Sequence, residues 1–188
     1  MIPFSQQTTV GGYKNEDAAS ALQKSIRRGL ADDALFWATE LDRSGWGEYV
    51  WKRLRIIASE DVGGADPHLV LQVRALYENW KDLRKKEDSA HAPERLFLVD
   101  AVLRLARARK SREVDHALVV FYEGERPARA VPDYAHDRHT STGRKRGRGW
   151  AHFFDAGAYI VDPPPGATGG DEYAARAREI RSDHFKLT

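Results

Sequence analysis

The chain contains no cysteine among its 188 residues. Disulfides, thiolate zinc sites and cysteine nucleophiles are thereby excluded, and the composition suits a reducing, cytoplasmic setting. Long apolar runs are also missing. None approaches the ~20 residues that a membrane-spanning helix needs. The opening stretch MIPFSQQTTVGG has no basic segment leading into an apolar run of about 7–15 residues, so no secretory signal is expected there. Charge of one sign is nearly balanced by the other, leaving a net +2. Attraction to nucleic acid would therefore come from local clustering and not from the overall field. No Gly-x-x-x-x-Gly-Lys-Ser/Thr loop occurs, so no nucleotide cofactor is expected. No period of 20 to 50 residues marks a solenoid.

What the sequence does have is helical apolar spacing from Asp17 to about Gly124. DAASALQKSIRRG places Ala18, Leu22 and Ile26, with Ala21, on one face and stops at Gly29, a residue suited to a left-handed cap. ADDALFWATELDRSG opens with acids that suit a helix N-terminus, and Leu35, Ala38 and Leu41 form its stripe, widened by Phe36 and Trp37. GEYVWKRLRIIASED gathers Val50, Leu54, Ile57 and Ala58. A further helix carries Leu69, Val70, Val73, Leu76 and Tyr77 to about Lys85. After a polar connection, Pro93 opens a stretch marked by Leu96, Val99, Leu103 and Leu105. Ser111 is placed to cap REVDHALVVFYEG, which Gly124 ends. The expected fold class is all-α.

The segment ASEDVGGADP sits between two of these helices. Gly63 and Gly64 permit the positive φ that ends a helix. Asp66 is placed as an N-cap worth ~1 kcal/mol, and Pro67 fits the first helical position, where its missing N–H costs nothing. Ser59, Glu60, Asp61, Gly63, Asp66 and Pro67 therefore read as a helix-to-helix corner and not as a phosphate loop. Two adjacent acids at a helix end sit poorly with the helix dipole. They call for a partner, such as Arg53, Arg55 or an arginine of another subunit. An acid–base pair and a structural polar knot are the two readings of Glu60 and Asp61, the knot being favoured.

These same segments resemble the C-terminal region of the replication-associated recombination protein A family, the bacterial relatives of Werner-helicase-interacting AAA+ ATPases. Ser20, Ala21, Leu22, Lys24, Ser25, Ile26 and Arg27 match the family's Ser-Ala-Leu-x-Lys-Ser-Ile-Arg element. Asp32, Ala34, Leu35 and Trp37 match its Asp-Ala-Ala-Leu-x-Trp element, with Asp33 replacing an alanine. Arg53, Leu54, Ala58, Ser59, Glu60, Asp61, Gly63, Ala65, Asp66 and Pro67 match the third element, with Val62 in place of isoleucine. LARARKSREVDHAL is a weaker match to the next segment. The resemblance covers roughly residues 13 to 125. After residue 130 the family's Gly-Tyr-x-Tyr-Pro-His-Asp ending is replaced by GRGWAHFFDAGAYIVDPPPG.

The resemblance implies a helical bundle similar to the clamp-loader collar, which holds subunits together as a homo-oligomer, often a tetramer. It also implies replication or recombination proteins as partners and DNA as a possible one. The first methionine comes just before the collar-like helices, so a protein without an ATPase module is expected, and with it no enzymatic activity.

Candidate chemistry is sparse. LFLVDAV resembles a Walker B strand ending at Asp100, but without a phosphate loop Asp100 reads as a helix-surface acid. Asp133, His136, Asp137, His139 and His152 are metal-ligand types, yet their spacing matches no zinc-enzyme motif, and an exposed polar turn explains them as well. No metal or nucleophile is assigned. The strongest feature is RHTSTGRKRGRGW, in which Arg138, Arg144, Lys145, Arg146 and Arg148 carry five positive charges with no acid between them. Trp150 and Phe153 are placed to stack on bases. Nucleic-acid binding and a solvated basic loop both fit this run. Of the five tryptophans, one or two are candidates for a subunit interface.

The expected organisation is an N-terminal extension (1–14), a helical domain (15–125) and a basic loop with an apolar segment packed on the domain (126–162). A linker and terminal helix follow (163–188), with one short helix expected near Asp133 to His139.

Overall fold

The computed structural model describes residues 3–84, 92–160 and Ile180. The expected linker after residue 162 and the helix expected to dock through Tyr173 and Ala177 lie outside the described residues; Ile180 is helical and exposed. The chain divides into two compact units, residues 1–126 and 127–188. Among the described residues every regular element is helical, and the only β contact is an isolated bridge between Thr8 and Lys14. The fold is all-α.

In the first unit, α1 (Asn15–Arg28) and α2 (Ala31–Leu41) pack as a hairpin. Gly29 turns the corner at φ 75°, and the Leu30 N–H reaches back to the Ser25 carbonyl at 2.9 Å. A helix can close this tightly because glycine adopts the left-handed region without a Cβ penalty. A π-type turn, Asp42–Trp46, leads into α3 (Gly47–Ile57), and a second, Ala58–Val62, ends it. Gly63 then takes φ 47°, Asp66 stands at the N-cap position and Pro67 opens α4 (Pro67–Leu83). The corner expected from the sequence is present. The Asp66 side chain, however, makes no capping hydrogen bond. The helix α5 (Arg95–Arg107) packs against α2 and α4, and α6 (Glu113–Leu118) follows, extended by a π-type turn over Val119–Glu123. Arg112 and not Ser111 holds the N-cap position, although the Ser111 hydroxyl accepts from the Glu113 N–H at 3.2 Å.

The core takes much of the faces that the spacing marks, but Val70, expected inside, is 38% exposed, and Trp51 and Trp80, which the spacing did not mark, are buried. Leu22, Ile26, Leu41, Val50, Trp51, Leu54 and Ile57 are fully buried. The phase of α5 differs from expectation. Its buried stripe is Leu98, Ala101, Val102, Leu105 and Ala106, while Leu96 is 70% exposed. LFLVDAVLRLA is apolar on most sides, so periodicity alone leaves its rotation open, and packing against α2 and α4 chooses it. The N-terminal segment lies on this bundle: Phe4 stacks on Tyr49 with centroids 4.1 Å apart, and the Val10 N–H donates to Ser44 Oγ at 3.0 Å.

In the second unit the short helix expected near Asp133 to His139 is a 3-10 turn at Asp133–Ala135. The helical segments fall later, at α7 (Ser141–Lys145) and α8 (Trp150–His152). Thr140 caps α7, its Oγ1 accepting from the Gly143 N–H at 3.0 Å. Gly143 is pressed so closely on the Asp137 carbonyl that a Cβ would sit 1.7 Å from the oxygen. No other residue fits there without moving backbone.

Truncating Leu98 to Ala should cost about 2–5 kcal/mol in urea unfolding, whereas Leu96→Ala should stay within roughly 0.5 kcal/mol of the parent. Equal effects at the two positions would contradict the observed rotation of α5.

Candidate functional site

The corner between α3 and α4 holds the one fully buried carboxylate among the described residues, Asp61. A buried charge is tolerated only when paired and hydrogen-bonded. Arg27 on α1 supplies the pairing: its Nε donates to Asp61 Oδ1 at 2.5 Å, and its Nη2 donates to Glu60 Oε1 at 3.1 Å. Gln23, one turn earlier on α1, donates to Asp61 Oδ2 at 3.1 Å. The sequence pointed to Arg53 or Arg55 for this role. Arg53 instead donates to the Gln23 amide oxygen, and Arg55 lies over the Tyr77 ring, 4.6 Å from its centroid. Arg27 was visible in the KSIRR motif, but nothing in linear spacing brings the end of α1 to residue 61.

The same corner holds α6. The Ser111 N–H donates to the Asp61 carbonyl at 3.0 Å. Arg112 Nη1 stands 3.8 Å from both Glu60 and Asp61, and its Nη2 pairs with Asp115 on α6. That hydrogen bond, with the three nearby carboxylates, holds the Arg112 guanidinium above its ordinary pKa. Next to it, burial pulls Lys110 below the usual lysine range while Asp61 opposes the shift. Lys110 Nζ donates to the carbonyls of Ala106 and Ala108, closing the end of α5. Gly63 completes the seat, since a Cβ there would lie 2.9 Å from Val114. With both oxygens of Asp61 engaged and its side chain fully covered, the geometry is that of a charge-paired joint between α1, the corner and α6.

Beyond that seat, α6 and its continuation have no buried residue. Val114, Leu118, Val119, Val120, Phe121 and Tyr122 are 44–82% exposed. In the sequence this segment reads as one more helix, with no exposed surface assigned to it. The available signal was the lack of a polar face: Leu118 and Tyr122 follow Val114 at four-residue spacing, while Val119, Val120 and Phe121 fall on other sides.

In the second unit most of the basic run is engaged by neighbouring groups, although Arg144, Lys145 and Arg146 stay exposed. Arg148 donates to both Asp133 carboxylate oxygens, at 2.6 and 2.5 Å, and to the carbonyls of Asp133 and His136. Arg146 donates to Asp133 Oδ1 at 2.9 Å. Arg144 donates to the carbonyls of Arg138 and His139. Arg138 covers Trp150, with its guanidinium carbon 3.9 Å from a ring centroid. Trp150, Phe153, Phe154 and His139 form one ring cluster. Lys145 alone of the five cations is given no partner among the described residues. The hydrogen bonds from Arg148, with the charges of Arg148 and Arg146, hold the Asp133 carboxyl below its ordinary pKa. Asp137 binds His139 through both ring and backbone, at 2.7 and 2.9 Å. Among the described residues no three His or carboxylate side chains converge as a metal site. Asp100 pairs with Arg104 at 2.9 Å on the surface of α5. Among the described residues no helix is long and apolar enough to cross a membrane.

The family model described as MgsA AAA+ ATPase C terminal matches residues 30–160. It runs through the basic loop and the apolar segment after it, past the limit near residue 125 that the motifs alone suggest. The chain is 33% identical over 166 residues to the replication-associated recombination protein A of Haemophilus influenzae, covering 86% of this chain and 34% of that protein. Against the Bacillus subtilis protein of the same name it is 30% identical over 164 residues, covering 81% and 37%. Against the Escherichia coli K12 protein it is 34% identical over 124 residues, covering 65% and 26%. The chain thus spans about a third, or less, of the length of these relatives.

Arg27→Ala leaves Asp61 buried without its main partner and should cost roughly 3 kcal/mol in denaturant unfolding. Arg53→Ala should cost no more than about 1 kcal/mol. The reverse order would show that the joint is assigned to the wrong arginine. The second unit carries an acid dependence. A carboxyl held below its unfolded pKa, ~3.9, stabilises the fold above that value and stops doing so as pH falls through the lowered one. The Arg148 side-chain signals should therefore keep their bound NMR shifts at pH 5 and lose them in the acid range. In Asp133→Asn those shifts should be absent at every pH.

Proposed function

The chain belongs to the MgsA AAA+ ATPase C-terminal family, and from that premise we propose that it serves as a non-catalytic assembly domain in DNA replication, recombination or repair. The named relatives support the biological setting, since they are replication-associated recombination proteins. The observation that carries the assembly reading is the exposed apolar arm of α6. Monomeric proteins rarely leave contiguous apolar surface of this kind uncovered. Six large apolar side chains on this one short segment are each 44–82% exposed, the material from which a standard interface of ~800 Å² per partner is built. An ordinary surface helix hides one apolar stripe of about 100° against its own core. An arm apolar on most sides needs more than one neighbouring surface. That requirement favours an oligomer in which each arm is enclosed, and the tetramer implied by family resemblance is one such arrangement.

Among the described residues of this unit, the acids that the sequence singles out are held in ion pairs. The only fully buried acid among the described residues, Asp61, is neutralised by two arginines, and Asp100 faces solvent beside Arg104. In this reading the domain holds copies together, and any ATP-driven work belongs to an ATPase module. The alternative, a nucleic-acid-binding module centred on residues 138–150, has less geometric support. Arg138, Arg144, Arg146 and Arg148 are directed at partners within their own unit, so binding phosphates would require breaking those contacts.

Light scattering on the purified chain should give a mass of several copies at micromolar concentration. Leu118→Glu with Phe121→Glu should bring it to one copy with unchanged helical circular dichroism, because neither side chain is buried. A parent chain that stays monomeric would end the assembly reading. Salt-dependent gel shifts that vanish on Lys145→Ala and Arg144→Ala would favour the alternative.

A further inference from the structure

A second surface lies on the α1–α2 hairpin, at the start of the bundle. Tyr13, Phe36 and Trp37 form a corner of three rings with centroids 4.9, 5.1 and 6.1 Å apart and planes at 81–84°. Phe36 is 48% exposed, Tyr13 43%, and Trp37 is half-buried. The faces of such rings are negative and attract a cation within about 6 Å of the centroid. Three other rings carry cations of this chain: Arg55, Arg74 and Lys81 surround Tyr77, Arg84 covers Trp80 and Arg138 covers Trp150. Among the described residues none is found on Tyr13, Phe36 or Trp37.

The rim is negative. Asp33 and Glu40 lie one turn before and one turn after Phe36 on the same side of α2. Asp32 and Asp33 are exposed, are given no ion-pair partner among the described residues, and line a shallow hollow with Leu30 and Ala31. Glu40 accepts the Gly11 N–H at 2.6 Å, and a Cβ built on Gly11 would touch both this carboxylate and the Tyr13 ring, so the two are neighbours. Glu16 and Asp17 follow Tyr13 in sequence, and the cations nearby in sequence are Lys14, Arg43, Arg27, which pairs with Asp61, and Arg28, which donates to the Lys24 carbonyl. The roughly half positive charge at the α2 N-terminus is outweighed by two carboxylates.

We propose that this corner binds a basic, arginine-bearing segment of a partner protein. One guanidinium stacks on the exposed ring of Phe36, with the nearly perpendicular Tyr13 ring at its edge and Glu40 beside it, and a second basic side chain reaches Asp32 and Asp33. Arginine suits the first position because its planar group stacks and pairs with a carboxylate at once, which an ammonium does not. Asp33 and Glu40 are seven residues apart, about 10 Å along the helix. An extended chain covers that in about three residues. The fitting segment therefore carries two basic residues roughly three positions apart. This surface is independent of the assembly reading, and an α6 variant that is monomeric should still bind.

The test is an NMR titration of the full chain with a blocked Gly-Arg-Gly-Gly-Arg-Gly peptide. The Trp37 indole N–H and the Gly11 amide should shift saturably. Phe36→Ala and Phe36→Leu should each weaken binding about threefold to fivefold. The leucine variant keeps the apolar bulk and isolates the ring's contribution. Asp32→Asn with Asp33→Asn should weaken binding and flatten its salt dependence. A lysine version of the peptide should bind several-fold less tightly. The proposal fails if Trp37 does not respond at millimolar peptide, or if Phe36→Leu binds like the parent. It fails equally if a glutamate peptide binds as well, or if the same shifts appear on concentrating the protein alone, which would make a second copy the occupant.

Discussion

One buried negative charge organises the helical unit. Asp61 sits at the end of α3 with no solvent contact, and its two oxygens are taken by Arg27 and Gln23 from α1. Its backbone carbonyl takes the Ser111 N–H, and Arg112 completes the charge balance. Three segments far apart in the chain thus meet at one carboxylate. Apolar packing is non-directional and tolerates sliding, whereas an ion pair with two fixed geometries does not. The cost of burying Asp61 is offset only when all partners are in place, so the joint selects a single arrangement of α1, the corner and α6.

The two units treat their acids in opposite surroundings. Asp61 is enclosed by helices and its partners come from across the fold. Asp133 lies at the surface and gathers cations from only 13 and 15 residues away. Its low pKa comes from hydrogen bonds and nearby charge, without the enclosure that Asp61 has. The basic run that looked free in the sequence is mostly consumed in this local bracing, leaving a ring cluster capped by Arg138 and a glycine, Gly143, wedged against a carbonyl.

Much of the fold was legible in the sequence. The 3.6-residue spacing gave helices over the right stretches, and Gly29, Gly63 and Pro67 marked turns where the backbone makes them. These are local properties, set by φ preference and by a missing N–H. The misjudged features are non-local. The partner of Asp61 depends on which helix end folds back beside residue 61, and the rotation of α5 depends on its neighbours. The apolar residues of 114–122 look identical to core residues in sequence, because burial is decided by what packs over them and not by composition. The same applies to the cations of residues 138–148, whose counter-charge at Asp133 precedes the run and was weighed as a metal ligand instead.

The α6 arm has one further consequence. Past its seat on the corner, the arm buries no side chain among the described residues, so within one copy its amides should open and exchange with solvent without waiting for the bundle to unfold. Neighbouring copies would exclude water from those same bonds. Docking and ordering of this segment then become one event. Part of the binding free energy is spent on lost chain entropy, which makes the contact reversible even though it is apolar.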